Sequence, residues 1–185
     1  MSRHGLSRRR DARALAHEVL VRVETTDAFA DVLLADRVAG AALDAADLAL
    51  LTRLVYGTLA WQGRLDHRLR PLLRTPLDRL DPPVRAALRL GAYQLLFLDR
   101  VPAYAAVDRS VGLAGRRASG LVNAVLRRLA GGGPEPALPD DPLDRLAVEW
   151  SHPRWLVERL ARELPAEELP HALAANNERG ATTVR

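Results

Sequence analysis

The residues best suited to move a proton or hold a metal are the five histidines, His4, His17, His67, His152 and His171. No two of them stand at a metal-ligand spacing such as HExxH, so each reads as a surface or helix-end residue. The carboxylate pairs Asp140–Asp141 and Glu167–Glu168 fall in a Pro-rich stretch and at a helix start, where solvated negative charge is ordinary. There is no GxSxG elbow and no cysteine, which removes a thiol nucleophile, a thiolate zinc site and structural disulfides together. The stretch GLAGRRASG (112–120) has the glycines of a phosphate loop, but it does not match GxGxxG and follows no strand-like run. No dinucleotide or S-adenosylmethionine site is expected there, and no residue is assigned to catalysis or to a metal.

The chemistry that remains is cationic. The chain has 27 basic residues, a formal charge of +4 and a sequence pI near 10.5, and because it contains no lysine all 27 are arginine. Arginine is charged at every accessible pH, and its planar fork can bind phosphate through two hydrogen bonds and stack on bases. Net charge alone speaks to solubility and non-specific association, so it permits an anionic partner such as RNA without naming one. Arg3, Arg8, Arg9, Arg10 and Arg13 lie on or beside a polar N-terminal arm, where several guanidinium groups can follow a phosphate backbone. A solubilising tail would have the same composition. Arg116 and Arg117 come next, placed by the spacing in a Gly115–Gly120 loop just before a helix N-terminus whose free N–H groups can help hold a phosphate. Phe29, Tyr93 and Phe97 fall at positions expected to be buried, with Trp61 and Tyr104 as exceptions, so backbone and shape recognition is expected more than base readout.

The elements that carry these residues are helical. Residues 1–10 lack hydrophobic periodicity and read as a flexible arm. Helical spacing then links Ala12, Leu15, Ala16, Val19, Leu20 and Val23; Phe29, Val32, Leu33 and Ala35; and Leu48, Leu51, Leu54, Val55 and Leu59. Gly57 predicts a tight packing contact and Gly63 a bend. Asp81, Pro82 and Pro83 start a helix that is apolar on almost every side through Leu98, the pattern of a buried central helix. Pro102 opens another, and GLVNAVLRRLA (120–130) closes the series, with Leu121, Val122, Val125, Leu126 and Leu129 as an apolar stripe. Arg127 and Arg128 stand where the helix dipole favours cations, and Asn123 is expected to bond a neighbouring backbone group. Residues 131–142 are a Gly/Pro-rich linker, and residues 143–185 read as short helices ending in a strand-like Ala181–Val184. A chain of 185 residues suits one domain with an appendage, here an all-α bundle at 11–130. No apolar run is long enough to span a bilayer and no apolar segment follows the basic N-terminus, so the cytosol is the expected compartment.

The helix 120–130, together with LLTRLVYGTLAWQGRLDHRL (50–69) and LDPPVRAALRLGAYQLLFLDRVPAYAAVDRSVGLA (80–114), resembles the NusB-like all-helical RNA-binding domain, in the form found at the front of RsmB-type ribosomal RNA cytosine-C5 methyltransferases. HPRWLVERLARELP (152–165) and NNERGATTVR (176–185) resemble the connector that leads into the methyltransferase half of those enzymes. Asp108 and Arg109 depart from the pattern, standing where an Asn and an acidic residue are usual, and Gly180 stands where a Pro is common.

The resemblance implies a module that positions small-subunit (16S) rRNA for methylation by S-adenosylmethionine, with the basic N-terminal region contacting RNA. It also implies a catalytic domain carrying two cysteines. This chain has none, so the sequence is expected to stop where that domain would begin and to be inactive alone. The competing reading is a NusB-type transcription antitermination factor that binds RNA with a ribosomal protein. Such a factor needs nothing beyond about Ala130, and the connector weighs against it. A shortened product acting as an RNA-binding scaffold is the third reading.

Overall fold

A computed structural model describes residues 11–41 and 43–178, and the described residues form ten α-helices and two 3-10 turns without a strand. The flexible-arm reading of residues 1–10 and the strand reading of Ala181–Val184 fall outside the described residues. Helix α1 (Ala12–Thr25) starts where the Asp11 carboxylate accepts the Arg13 N–H at 3.0 Å, and it ends where the Thr25 and Thr26 hydroxyls bond back to Val21 and Arg22 carbonyls. Helices α2 (Ala30–Ala39) and α3 (Ala45–Ala60) follow, the second capped by Asp44 through the Asp47 N–H at 2.8 Å. Trp61 separates α3 from α4 (Gln62–Leu69), so the bend lies two residues before Gly63. The 3-10 turns Arg70–Leu72 and Leu77–Arg79 then lead to α5 (Pro82–Phe97), whose two leading prolines lack N–H groups that would have no helical partner there.

Helix α5 is the centre of the bundle. It packs against α1, α3, α4, α6 (Ala103–Leu113) and α7 (Gly115–Ala130), and it buries Val84, Ala87, Leu88, Leu90 and Tyr93. Two glycines permit that crowding. A Cβ on Gly57 of α3 would lie 2.1 Å from the Tyr93 ring, and one on Gly91 would lie 2.3 Å from Leu126 of α7 and 2.9 Å from the Ser110 hydroxyl of α6. At the N-terminal half of α5 the fastening is ionic. Arg85 bonds Glu24 at 2.7 Å and donates to the carbonyls of Leu77, Asp78 and Leu80, while Arg89 bridges Glu24 and, through two hydrogen bonds, Asp66. Burial works against the charge on Arg89, but the hydrogen bonds and charges of Asp66 and Glu24 outweigh it and raise its pKa above the ordinary arginine value. One α5 residue also corrects a sequence expectation: His17 is buried in mid-α1, with Nε2 2.8 Å from the Pro83 carbonyl oxygen. Its partner lies 66 residues along the chain, beyond the reach of local spacing.

Further corrections concern faces and bounds. Phe29 and Val32 are 76% and 62% exposed, because α2 turns Leu33 and Leu34 inward instead. The expected Gly115–Gly120 loop is the start of α7: Gly115, at φ +73°, makes the turn alone, and Gly120 sits on an exposed part of the helix with open space beside it. Leu121 therefore faces outward, 38% exposed.

Beyond irregular residues 131–141, helices α8 (Pro142–Glu149), α9 (Arg154–Glu163) and α10 (Leu169–Asn176) share a small separate core around Val157, Leu169 and Leu173. This unit touches the bundle at α4, where the Gly63 N–H donates to the Ser151 hydroxyl at 2.9 Å and Arg64 donates to the Glu149 carbonyl at 2.9 Å. Asp141, read from sequence as solvated, caps α8 and pairs with Arg154. The backbone N–H of Asp144, followed by Arg154, holds its carboxyl below the usual range, so its contribution to stability is present at neutral pH and fades as acid protonates it.

Replacing Gly91 by Ala is expected to cost about 1–3 kcal/mol through overpacking, despite the roughly 1 kcal/mol gained in helix propensity. Gly120→Ala, with open space around it, is expected to stabilise by up to about 1 kcal/mol. Urea midpoints at constant m-value measure both, and an unchanged or raised midpoint for Gly91→Ala would refute this account of α5.

Candidate nucleic-acid interface

Helix α7 buries Val122, Val125, Leu126 and Leu129 against the bundle, which leaves its outer side to the rest of its sequence. That remainder contains Arg116, Arg117, Arg127 and Arg128 and no carboxylate. All four arginines are exposed, two in the first turn and two in the last, with Arg117 and Arg128 about 16 Å apart along the axis. The guanidinium groups of Arg116, Arg117 and Arg128 have no partner among the described residues. Arg116 and Arg117 are thus inside the helix, where its free N-terminal N–H groups and positive dipole end add to their charge. Between the two pairs, Gly120 and Ala124 keep the outer face low.

Antiparallel to α7, α6 contributes a groove of about 280 Å³ whose walls include Tyr104, Asp108, Asn123 and Arg127. Tyr104 is 78% exposed, as its spacing predicted, and its ring is free to stack. Asn123 does not bond the backbone as expected. In mid-helix, where the backbone groups are already paired, its Oδ1 accepts the Arg127 Nε–H at 2.9 Å, which fixes the Arg127 fork beside the groove.

Arg109 of α6 lies 3.7 Å from the carboxylate of Asp11, while Arg3, Arg8, Arg9 and Arg10 lie outside the described residues. Arg13 is placed differently: its side chain is only 17% exposed, and its Nε–H donates to Oε1 of the buried Gln94 at 2.7 Å. The arrangement sets Arg116, Arg117, Arg127 and Arg128 on the exposed side of α7, with Tyr104 beside Arg127, and sets Arg13 in the packing between α1 and α5. Arg127 and Arg128 carried a readable signal, the absence of any acidic residue from 115 to 130, which a reading centred on the helix dipole passed over. Among the described residues no group of three or more His, Asp or Glu could hold a metal, and no helix is long and apolar enough to cross a membrane.

Fold and site together define an all-helical bundle with a basic outer helix. A family model described as the NusB family matches residues 10–131, the span of α1 to α7, and the chain belongs to that family. The ribosomal RNA small subunit methyltransferase B of Pseudomonas putida is 41% identical over 141 residues, covering 73% of this chain and 31% of that protein. A Mycobacterium tuberculosis relative that carries a methyltransferase name is 37% identical over 183 residues, covering 92% of this chain and 40% of its own length. The chain thus spans between about three tenths and two fifths of the length of such relatives. The crystal structure of PH0851 superimposes with a TM-score of 0.68 at 19% identity, over 91% of this chain and 39% of that one, and shares the fold.

The arginines divide by partner, and stability separates them. Arg89→Ala leaves Asp66 without its bidentate partner and is expected to cost about 2–3 kcal/mol. Arg128→Ala is expected to stay within about 0.5 kcal/mol of the parent. Thermal or urea unfolding of the two variants decides this, and equal losses would contradict the division.

Proposed function

We propose that this chain is the RNA-binding module of a ribosomal RNA (cytosine-C5) methyltransferase, holding small-subunit (16S) rRNA in the cytosol for methylation by S-adenosylmethionine. The observation that carries this reading is α7, with four exposed arginines and no carboxylate, in a chain whose relatives are named for small-subunit rRNA methylation. Phosphate contacts come from Arg116, Arg117 and the arm residues Arg3, Arg8, Arg9 and Arg10, with Arg13 anchoring the root of the arm. A contact surface of arginines on a rigid helix recognises backbone shape first. S-adenosylmethionine belongs to the longer relatives. The described residues do not fit it, because no strand is present to carry a dinucleotide-type loop and the glycines of 112–120 shape the α6–α7 junction. The antitermination reading, with its ribosomal protein partner, is not favoured: the match to a methyltransferase-named relative continues through 183 residues, past the end of α7.

Changing Arg8, Arg9 and Arg10 to Ala is expected to weaken binding to a structured 16S rRNA fragment and to flatten its salt dependence by about 0.7–0.9 in log–log slope for each phosphate no longer neutralised. Arg116→Ala with Arg117→Ala is expected to act in the same direction. Titrations at several salt concentrations provide the test, and unchanged affinity and slope in both variants would sink the reading. The family resemblance assigns methyl transfer to cysteines, and this sequence has none. Incubated with 16S rRNA and labelled S-adenosylmethionine, the polypeptide alone is therefore expected to transfer no methyl group, and incorporation of label would refute that expectation.

A further inference from the structure

Two adjoining cavities, lined by no residue of α7, share Glu24 and Arg89 as common walls. The outer one, about 570 Å³, lies beside the 3-10 turns with the exposed Arg70, Arg74 and Thr75 among its walls; its volume falls within the roughly 300–1,000 Å³ typical of small-ligand sites. The inner one, about 220 Å³, has apolar walls from Leu20, Val23, Leu59 and Ala86 and polar groups from Thr58, Gln62, Glu24 and Arg89.

The polar groups fall into two sets. Glu24, Asp66, Arg85 and Arg89 satisfy one another. Thr58 and Gln62 do not: the Thr58 hydroxyl is buried, with the residue 2% exposed, and has no hydrogen-bond partner, and the Gln62 carboxamide has none among the described residues. An unpaired buried hydroxyl costs free energy, and a site that a ligand completes removes the cost. At the mouth, Arg70 and Arg74 have no partner among the described residues, and Asp78 is the one lining carboxylate not already held by an arginine. A largely apolar slot with Thr58 and Gln62 among its polar walls can take a flat heterocycle with donors and acceptors on its edge, and two free arginines on the adjoining cavity can take a phosphate.

We propose, resting on the RNA-binding reading above, that this cleft receives one unpaired nucleotide of the RNA, its base between Thr58 and Gln62 and its phosphate between Arg70 and Arg74. Single-stranded loops are where unstacked bases become available for such capture. The cleft would then give α7, a reader of backbone, a base-recognising counterpart on another part of the bundle.

The test is amide NMR of the whole chain titrated with cytidine 5′-monophosphate, cytidine and inorganic phosphate. The monophosphate is expected to shift Thr58, Leu59 and residues 70–75 together and saturably, and cytidine to bind about tenfold more weakly. Arg70→Ala with Arg74→Ala should reduce the monophosphate to the level of cytidine. Thr58→Val, which removes only the unpartnered hydroxyl, should weaken both nucleoside ligands while leaving phosphate binding and the melting temperature in place. Inorganic phosphate binding as tightly as the monophosphate, or monophosphate shifts confined to residues outside the cleft, would overturn the proposal. A 16S rRNA fragment in a parallel titration separates the two readings. RNA bound at full affinity by the Arg70→Ala/Arg74→Ala variant, with no shift at Thr58, defeats the cleft and leaves the module reading standing. Monophosphate seated in the cleft with no affinity for RNA defeats the module reading and leaves a nucleotide site.

Discussion

The close approach of α3, α6 and α7 to α5 through Gly57 and Gly91 is the constraint on which the bundle depends. A helix surrounded by other helices cannot carry a large side chain at every point of its circumference, and the axes close in only where one partner gives up its Cβ. At Gly57 the space goes to the Tyr93 ring, which stacks on Phe97, which in turn stacks on Trp61 at the α3–α4 joint. At Gly91 the space goes to Leu126 and Ser110, so α6 and α7 are both placed by the same missing methyl group. The far half of α5 is held differently: Arg85 and Arg89 reach from it to Glu24 on α1, Asp66 on α4 and the carbonyls of the 70–80 segment. Apolar contact sets the distances at one end, and paired charge sets the directions at the other.

The same constraint explains why α7 presents arginine outward. Leu126 fits over Gly91, which fixes the rotation of α7 about its own axis and sends Val122, Val125 and Leu129 into the core with it. Positions 116, 117, 127 and 128 are then outside by periodicity alone. A rotation of one residue would bury a guanidinium without a partner, which is far costlier than burying a leucine. The electrostatic character of the surface is thus a by-product of core packing, and the arginines need no ion pairs of their own to hold their place. Arg116, Arg117 and Arg128 thereby keep their hydrogen-bonding capacity uncommitted among the described residues.

How far the sequence could be read depends on whether a feature is set locally. Helix existence, the central role of α5, the contact at Gly57 and the outward Tyr104 all follow from spacing and from Pro and Gly chemistry, and each is present. The errors occur where a distant partner or a single backbone angle decides. Phe29 and Val32 share a helical pattern with Leu33, yet α2 packs mainly on α1 and α3, and that shallow seat fully buries Leu33 and Leu34, with Ala30 and Val38 only half-buried at its edge. Glycines at 112, 115 and 120 suggest a loop, but one residue at positive φ completes the turn, and Gly120 is tolerated in mid-helix. His17 and Arg13 look like surface residues until Pro83 and Gln94 arrive from another part of the chain.

In a chain whose 27 basic residues are all arginine, one residue type performs two opposed tasks, and only the partners distinguish them. Arg85, Arg89 and Arg154 are engaged by carboxylates, and such pairs hold elements together at little net gain over an apolar contact, contributing direction rather than binding energy. Arg116, Arg117 and Arg128 have no such partner among the described residues, and the formal charge of +4 is therefore a poor guide to the field near α7, where no carboxylate of that helix offsets four guanidinium groups. The two sets also differ in exposure, Arg85, Arg89 and Arg154 being half-buried and Arg116, Arg117 and Arg128 exposed. Salt does not treat them alike: it screens the exposed α7 charges within a Debye length of about 8–10 Å and reaches the half-buried Glu24–Arg89–Asp66 chain much less. Ionic strength can thus tune association of this surface while the bundle that presents it stays folded, a separation that follows from where the packing of α5 puts each arginine.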